Sequence, residues 1–221
     1  MVSARCPQIG DSPHGPGVGD GSAPTLGPVG SVSAIVVAYL VGSVNFGVIV
    51  PRLRGTDIYS EGSGNPGATN VFRTLGKRAG ALVMVGDVAK GVVAAAIGGL
   101  LAGEAVGFAC AFAAVVGHVL PVWHRFRGGR GVATALGAAL WLEPVWGLVL
   151  NAGWGSVVAV TKTASVASLV AMVLYVPGYA LFGHRGASLW WAAATALLVV
   201  VRHAPNIRRI VTGSERRVAP E

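Results

Sequence analysis

Residues 79–101 read AGALVMVGDVAKGVVAAAIGGLL, a run of apolar and small residues in which Asp87 and Lys90 are the only charged side chains. Crossing the hydrocarbon core of a bilayer takes about 20 helical residues, so this run is long enough to span it. Charges inside such a segment are costly, and a spacing of three puts these two on one face of a helix, where they can neutralise each other. The stretch predicts a membrane helix with an internal structural ion pair.

The composition of the whole chain agrees with a membrane protein. Of its 221 residues, 53% are hydrophobic and 12% are charged, and the mean hydropathy is +0.64. A soluble domain carries about 25% charged residues, so most of this chain is expected to contact lipid. The net charge of +8 lies between apolar segments rather than along one face, which disfavours nucleic-acid binding. The two cysteines, Cys6 and Cys110, are too few and too far apart for a disulfide framework or a metal site.

Seven apolar segments are predicted to cross the membrane. They are 31–50, 79–101, 105–122, 131–144, 145–160, 166–182 and 188–202. The fourth and fifth are short and are predicted to form a hairpin that turns at Glu143 and Pro144. Residues 1–30 are rich in Gly, Pro and Ser and predict a disordered extension. Residues 31–202 form the predicted transmembrane domain, and 203–221 form a cytoplasmic tail.

The distribution of basic residues predicts the orientation. Most of them lie in the polar segments 51–78, 123–130 and 161–165 and in the carboxyl-terminal tail. An excess of positive charge marks the cytoplasmic side. With the amino terminus outside, seven spans keep the basic tail in the cytoplasm and six would export it. The predicted fold is an all-α integral membrane protein with seven transmembrane helices, its amino terminus outside and its carboxyl terminus cytoplasmic.

The stretch GSGNPGATN at 62–70 interrupts the apolar pattern. Proline and glycine disfavour continuation of a helix. Glycines let successive backbone N–H groups converge on one point and bind an oxyanion such as phosphate. The side-chain donors here are Ser63, Asn65, Thr69 and Asn70. Arg73 follows at helical spacing from Asn70, and an ordinary flexible loop is the alternative for the stretch considered alone.

A second glycine-rich stretch, GHVLPVWHRFRGGRGVAT at 117–134, is basic. Its Arg130 is flanked by Gly128, Gly129 and Gly131. A guanidinium held against bare backbone where the next span begins suits a phosphate. A simple positive membrane anchor is the alternative. His118 lies inside an apolar run, where we expect a packing hydrogen bond rather than catalysis.

Two further polar segments lie beside predicted spans. TKTASVAS at 161–168 offers Ser165 and Ser168, although Ser165 could serve only as a helix N-cap. RHAPNIRR at 202–209 places His203 and Asn206 three residues apart, with a basic membrane-proximal tail as the alternative. All four polar segments are predicted on one side of the membrane, and they offer cations, hydroxyls and amides with few carboxylates. This pattern indicates a site for phosphorylated anions, without metal or other cofactor.

From about Gly42 to Arg217 the chain resembles the acyl-phosphate:glycerol-3-phosphate acyltransferase family of bacterial inner membranes. The matching motifs, in family order, are GSVNFG at 42–47, GSGNPGATN at 62–70, DVAKG at 87–91, FRGGRGVAT at 126–134 and HAPNIRRIVTGSE at 203–215. The resemblance implies a multi-pass enzyme with seven helices and an active site facing the cytoplasm. It would move a fatty acyl group from acyl phosphate to the sn-1 hydroxyl of glycerol 3-phosphate, giving lysophosphatidate and inorganic phosphate in phospholipid synthesis.

The resemblance also implies roles for individual residues. Substrate binding would fall to Gly62, Ser63, Gly64, Asn65, Thr69, Asn70, Gly129, Ser165 and Ser168. The catalytic set would be His203, Asn206, Arg73 and Arg130. The expected partners are the two substrates and membrane lipids, and the expected oligomeric state is a monomer.

One departure from the family concerns Arg130, since the family usually has lysine there. Arginine can bind phosphate through two hydrogen bonds but does not release a proton at useful pH. Phosphate binding is therefore expected at this position, and proton acceptance is not. The base for the glycerol hydroxyl remains either His203 or an oxygen of the acyl phosphate itself.

The sequence disfavours three other functions. A lipid phosphotransferase needs clustered aspartates that hold metal, but the chain has only Asp11, Asp20, Asp57 and Asp87, widely scattered. Soluble-type glycerol-phosphate acyltransferases carry His with Asp five positions later, and none of the five histidines has that neighbour. A transporter would have polar breaks near the midplane and inverted repeats, whereas the breaks here lie at one interface.

Overall fold

The computed structural model describes residues 26–218, and all regular secondary structure within them is helical. The helices are α1 Pro28–Ser43, α2 Phe46–Arg52, α3 Ala68–Ala102, α4 Glu104–Val119, α5 Val132–Leu142, α6 Pro144–Thr161, α7 Ala164–Leu181, α8 Ala187–Arg202 and α9 Ala204–Val211. A short 3₁₀ turn, Val122–His124, follows α4. Residues 1–25 of the predicted disordered extension 1–30 lie outside the described residues. The predicted boundary at residue 30 is wrong, because α1 already begins at Pro28.

Each of the seven apolar segments predicted from the sequence contains a helix, but fewer helices are long enough to cross a membrane. Five helical segments are long and apolar enough to cross a membrane, or six if the bent pair α8–α9 is counted as one span. Helix α5 has 11 residues, which is about 16 Å of helix against a hydrocarbon core of about 30 Å. The predicted turn at Glu143 and Pro144 is confirmed, since α5 ends at Leu142 and α6 begins at Pro144.

Two boundaries differ from the sequence prediction for clear reasons. The first predicted span is broken at Val44 and Asn45, where the backbone is extended between α1 and α2. The loop predicted over 51–78 is shorter, because α3 already begins at Ala68 within the glycine-rich stretch. Gly76 takes φ 83° and ψ 178° and separates this polar first segment of α3 from the apolar part. Arg73 therefore lies on a helix rather than in a loop.

Small residues allow the central helices α3 and α5 to pack closely. A Cβ built on Gly91 would lie 2.1 Å from the carbonyl oxygen of Thr134, and one built on Gly137 would lie 2.1 Å from that of Val88. Such distances are impossible for real side chains, so the glycines are required by the contact. The close approach brings the start of α5 beside the middle of α3. Arg130 lies two residues before α5.

The ion pair predicted inside α3 is confirmed and has a third member. Lys90 Nζ lies 2.8 Å from Asp87 Oδ1 and 2.9 Å from Nδ1 of His118 on α4. It also donates to the backbone oxygen of Val44 at 2.8 Å. These contacts satisfy the buried ammonium with oxygen and nitrogen acceptors from three segments, as burial of a charge requires. They tie α1, α3 and α4 together, and His118 packs through a hydrogen bond as the sequence indicated.

A second polar cluster joins the three turns between α3 and α4, between α5 and α6, and between α7 and α8. Nδ1 of His184 lies 2.9 Å from Glu104 Oε1, and Nε2 lies 3.4 Å from Glu143 Oε2. Ser188 donates to the same Glu104 oxygen at 2.7 Å. These contacts fasten the α3–α4, α5–α6 and α7–α8 turns to one another.

Candidate active site

A cavity opens among α3, α5, α6 and α7 and the polar segments at their ends. Hydroxyl, amide and basic side chains from all four polar stretches of the sequence line it, and so do the apolar residues Met84, Val88, Leu136 and Trp154. We call this the inner cavity. Its combination of basic and apolar lining residues suits an amphiphilic anion.

The glycine-rich loop before α3 is held by its own side chains. Asn70 accepts a hydrogen bond from the backbone N–H of Ser63 at 2.9 Å and donates to the backbone oxygen of Glu61 at 3.0 Å. Gly62 has φ +57°, and a Cβ there would lie 2.4 Å from Asn70 Oδ1. Gly62 therefore shapes the loop from outside the cavity wall, while Ser63, Asn65 and Thr69 line the inner cavity.

The second glycine-rich stretch positions Arg130. The N–H of Gly129 donates to the backbone oxygen of His118 at 3.1 Å, and a Cβ on Gly129 would lie 2.3 Å from His118 Nε2. Gly131 has φ +86° and precedes the first turn of α5. Burial lowers the pKa of Arg130 to about 10, which leaves the guanidinium charged at neutral pH. Gly129 thus supports Arg130 without lining the cavity itself.

His203 and Asn206 come together at the junction of α8 and α9. The backbone N–H of Asn206 donates to the oxygen of His203 at 2.8 Å, and Pro205 lies in the first turn of α9, where its missing N–H is harmless. Nδ1 of His203 lies 2.7 Å from the backbone oxygen of Val199. A carbonyl only accepts, so Nδ1 carries the proton and Nε2 is the acceptor. Burial lowers the pKa of His203 to about 4, so the ring is neutral near pH 7.

Glu215 is part of the site, although no role was predicted for it from the sequence. Its Oε1 accepts from Ser165 Oγ at 2.9 Å and from Asn206 Nδ2 at 2.6 Å, and its Oε2 lies 2.8 Å from Arg209 Nε. Burial acts to raise the pKa of Glu215, but the hydrogen bonds from Asn206, Ser165 and Arg209 outweigh it and hold the pKa below its usual value. The sequence signal that could have identified Glu215 is its place at the end of HAPNIRRIVTGSE, close to several arginines, where a carboxylate is expected to form an ion pair.

The segment that carries Glu215 folds back across the site. Arg73 Nε donates to the backbone oxygen of Arg217 at 2.7 Å, and Arg73 Nη2 donates to that of Arg216 at 3.3 Å. The N–H of Val218 donates to the oxygen of Lys162 at 2.8 Å. Arg73 therefore holds the tail and lines the inner cavity at the same time.

The two serines of α7 differ in their surroundings. Ser165 is the second residue of the helix, and the N-cap is Thr163, so the N-cap alternative for Ser165 is wrong. Ser168 Oγ accepts from Trp154 Nε1 at 3.1 Å and donates to the oxygen of Ala164 at 2.7 Å. Ser168 thus fixes the indole that forms part of the apolar wall.

A second, more open cavity adjoins the first. We call it the outer cavity. The two share Ser63, Asn65, Arg130, Arg209 and Arg216 as lining residues. Gly64 lines the outer cavity only.

Most residues predicted from the sequence therefore meet in one place. Those that line the inner cavity are Ser63, Asn65, Thr69, Asn70, Arg73, Arg130, Ser165, Ser168, His203 and Asn206. Gly62 and Gly129 lie behind the walls of both cavities. Residues that the prediction missed are Glu215, Arg209 and Arg216. Within residues 26–218, no group of three His, Cys, Asp or Glu side chains is placed to hold a metal ion.

Comparisons with known proteins show the family to which the chain belongs. The family described as glycerol-3-phosphate acyltransferase matches residues 32–213. A glycerol-3-phosphate acyltransferase of Anaeromyxobacter dehalogenans (strain 2CP-C) is 45% identical over 196 residues, 85% of this chain and 98% of the relative. One from Sinorhizobium medicae (strain WSM419) is 40% identical over 194 residues, covering 87% and 95%.

A solved structure is similar across nearly the whole fold. The crystal structure of PlsY, an integral membrane glycerol 3-phosphate acyltransferase in its glycerol 3-phosphate form, matches with a TM-score of 0.82 and 36% identity. The match covers 85% of this chain and 94% of that one. The lysophosphatidic acid form of the same enzyme matches with a TM-score of 0.79. Sequence, fold and polar site together place this integral membrane chain in the glycerol-3-phosphate acyltransferase family.

Proposed function

We propose that the chain transfers a fatty acyl group from acyl phosphate to the sn-1 hydroxyl of glycerol 3-phosphate, releasing lysophosphatidate and inorganic phosphate. The observation that carries this proposal is the inner cavity, which joins an apolar wall to a cluster of cations. An acyl phosphate has the same two parts, a long hydrocarbon chain and a compact anion. Its chain would lie along Met84, Val88 and Leu136, and its phosphate would contact Arg130 and the loop at Ser63.

The acceptor supplies a second anion to the same site. Arg73, Arg130 and Arg209 all line the inner cavity, so cations are available to offset the repulsion between two phosphates. The forms of PlsY solved with glycerol 3-phosphate and with lysophosphatidic acid support these two ligands as acceptor and product.

The reaction needs no protein nucleophile, because acyl phosphate is already activated. The glycerol oxygen attacks the carbonyl carbon, the bond from that carbon to the phosphate oxygen breaks, and phosphate leaves as an anion. The hydroxyl proton must go to a base. His203 is neutral and accepts hydrogen bonds at Nε2, but a pKa of about 4 makes it a poor final proton acceptor. We therefore assign His203 the orientation of the hydroxyl and assign the proton to an oxygen of the acyl phosphate.

The charge distribution supports a cytoplasmic location for the site. We propose seven crossing helices with the polar segments, and hence the active site, in the cytoplasm of a bacterium and the membrane as its inner membrane. The basic residues that line the two cavities are the positive charges that favour the cytoplasmic side. A water-soluble acceptor would then reach the site from the cytoplasm, and an acyl donor would reach it from the membrane.

The experiment that tests the function is phosphate release from palmitoyl phosphate by purified protein, with and without glycerol 3-phosphate. We expect release that depends on glycerol 3-phosphate, is matched by lysophosphatidate formation and persists with a metal chelator. Palmitoyl-CoA and palmitoyl-acyl carrier protein, assayed in parallel, should give no product. Equal turnover with acyl-CoA, or loss of activity with chelator, would overturn the proposed donor while leaving the family unchanged.

A further inference from the structure

The lining of the outer cavity carries more positive charge than the ion pair between Arg209 and Glu215 offsets. Five arginines line it: Arg127, Arg130, Arg202, Arg209 and Arg216. No carboxylate side chain lies among its lining residues, whereas the inner cavity includes Asp87 and Glu215. A concave surface with one sign of charge concentrates ligands of the opposite sign. The outer cavity is therefore built to attract anions from water.

Arg127 is held in position by Tyr59 on the opposite loop. Its guanidinium carbon lies 4.4 Å from the centre of the Tyr59 ring, in a cation–π contact. The phenol of Tyr59 also donates to the backbone oxygen of Arg127. Two contacts from one side chain fix both ends of Arg127, so an anion that binds there meets an ordered guanidinium.

The turn before Arg127 has an unusual backbone. Arg125 and Phe126 have φ 52° and φ 58°, which non-glycine residues rarely adopt. The N–H of Phe126 donates to the oxygen of Pro121 at 2.9 Å, and the N–H of Arg127 donates to that of His124 at 3.1 Å. Strained conformations of this kind persist where the surrounding structure enforces them, often at functional sites. Here the consequence is to direct residue 127 toward the outer cavity.

Arg202 lies on the other wall, at the end of α8. Its Nη2 lies 3.5 Å from the backbone oxygen of Gly128 and 3.4 Å from that of Gly129. Among residues 26–218, neither Arg202 nor Arg127 lies within ion-pair distance of a carboxylate. Both guanidinium charges are thus available to a ligand.

The two cavities meet at Ser63, Asn65 and Arg130, which line both. We propose that Arg127 and Arg202 form a capture site in the outer cavity for the phosphate of glycerol 3-phosphate, which then passes Arg130 to the reacting position. The proposal rests on the acceptor assigned under the proposed function, but not on the identity of the acyl donor. It gives the two arginines a role in collecting the water-soluble substrate, separate from the reacting centre.

The test compares Arg127→Gln, Arg202→Gln and the double variant with Arg208→Gln as the matched control. Arg208 is exposed on α9 and lines neither cavity. We expect the KM for glycerol 3-phosphate to rise about fivefold in each single variant and about twentyfold in the double variant, with a much smaller fall in kcat. Salt should lower kcat/KM of the wild type more steeply than that of the double variant, because exposed charges are screened. Arg202→Lys should have a KM for glycerol 3-phosphate close to that of the wild type, since capture depends on the positive charge more than on the geometry of the guanidinium.

Binding of glycerol 3-phosphate and of inorganic phosphate to the purified protein, measured calorimetrically without any acyl donor, completes the test. Weaker binding of both by the double variant, with Arg208→Gln equal to wild type, supports the capture site even if the donor proves not to be acyl phosphate. Unchanged KM and unchanged binding in the double variant would overturn it. So would a fall in kcat as large as the rise in KM, which would place both arginines at the reacting centre.

Discussion

Asn206 and Glu215 are joined by a hydrogen bond of 2.6 Å from the amide Nδ2 to the carboxylate Oε1. Ser165 donates to the same oxygen, and Arg209 contacts the other. The carboxylate thus orders the hydroxyl of Ser165 on α7 and the amide and guanidinium of Asn206 and Arg209 on α9. Each of these groups could also contact a phosphate oxygen, so Glu215 both organises the site and balances part of its positive charge.

We expect Glu215→Ala to lower the thermal stability of the purified protein. The change leaves Ser165 and Asn206, both buried, without their acceptor, and an unsatisfied buried polar group costs about 1–3 kcal/mol. Thermal unfolding followed by a thiol-independent fluorescence signal would measure the shift. Glu61→Ala, on an exposed position of the loop before α3, is the control. Equal unfolding temperatures for the two variants would contradict a structural role of the carboxylate.

The substitution at position 130 separates charge from geometry. Arg130→Lys restores the residue usual in the family and keeps the positive charge, so most activity should remain. Arg130→Ala removes a charge-assisted phosphate contact of about 1.5–3 kcal/mol and should lower kcat/KM about tenfold to a hundredfold. Steady-state kinetics of both variants would show whether position 130 needs only a positive charge or the geometry of arginine. A folded but inactive lysine variant would indicate that two parallel hydrogen bonds from arginine are essential here.

The buried His203 predicts how stability depends on pH. Its pKa is about 4 in the folded protein and about 6.5 when unfolded, so the unfolded chain binds the proton more tightly. Stability from this group is therefore complete above pH 6.5 and is lost as pH falls toward 4, by about 3 kcal/mol at most. Unfolding temperatures of wild type and His203→Gln, measured between pH 4 and pH 8, should converge at acid pH. Parallel curves for the two proteins would contradict the assignment.

Much of the site could be predicted from sequence because its residues sit in short, chemically distinctive motifs. Glycine and arginine beside each other at 128–131, and His203 three positions from Asn206, indicated an anion site. The structure places Arg130, Gly131, His203 and Asn206 around one cavity. The internal pairing of Asp87 with Lys90 followed from their spacing alone. In each case the signal was local in the chain.

What could not be predicted depends on contacts between distant segments. The hydrogen bond from Ser165 to Glu215 spans fifty residues, and the bond from Arg73 to the oxygen of Arg217 spans 144. No spacing rule indicates such pairs. Gly62 and Gly129 look like phosphate ligands in sequence, yet they lie behind the cavity wall, where they make room for Asn70 and His118.

The contact between α3 and α5 should be sensitive to a single methyl group. Gly137→Ala places a Cβ 2.1 Å from the backbone oxygen of Val88, which a backbone cannot avoid without moving a helix. Such overpacking costs about 1–3 kcal/mol and would also disturb Arg130, which precedes α5. Gly153→Ala is the control, because a Cβ there meets nothing within 4 Å. Unfolding temperature and activity should fall for Gly137→Ala only, and an unaffected Gly137→Ala protein would refute the close packing.

The proposed topology requires the short α5 and the longer α6 to cross the membrane and return. Helix α5 has 11 residues, about 16 Å of helix, so it can cross only if the bilayer thins locally or its flanking residues extend the span. Single cysteines at Thr163, Glu143 and Ser214, in a background lacking Cys6 and Cys110, would be treated with a membrane-impermeant thiol reagent. If the polar segments are cytoplasmic, only the cysteine at position 143 should react from outside in intact cells, and all three should react after permeabilisation. Labelling of position 163 from outside would place Ser165 on the other side of the membrane from His203. Because Ser165 and Asn206 bind the same carboxylate, that result would be incompatible with both the seven-span topology and the single active site.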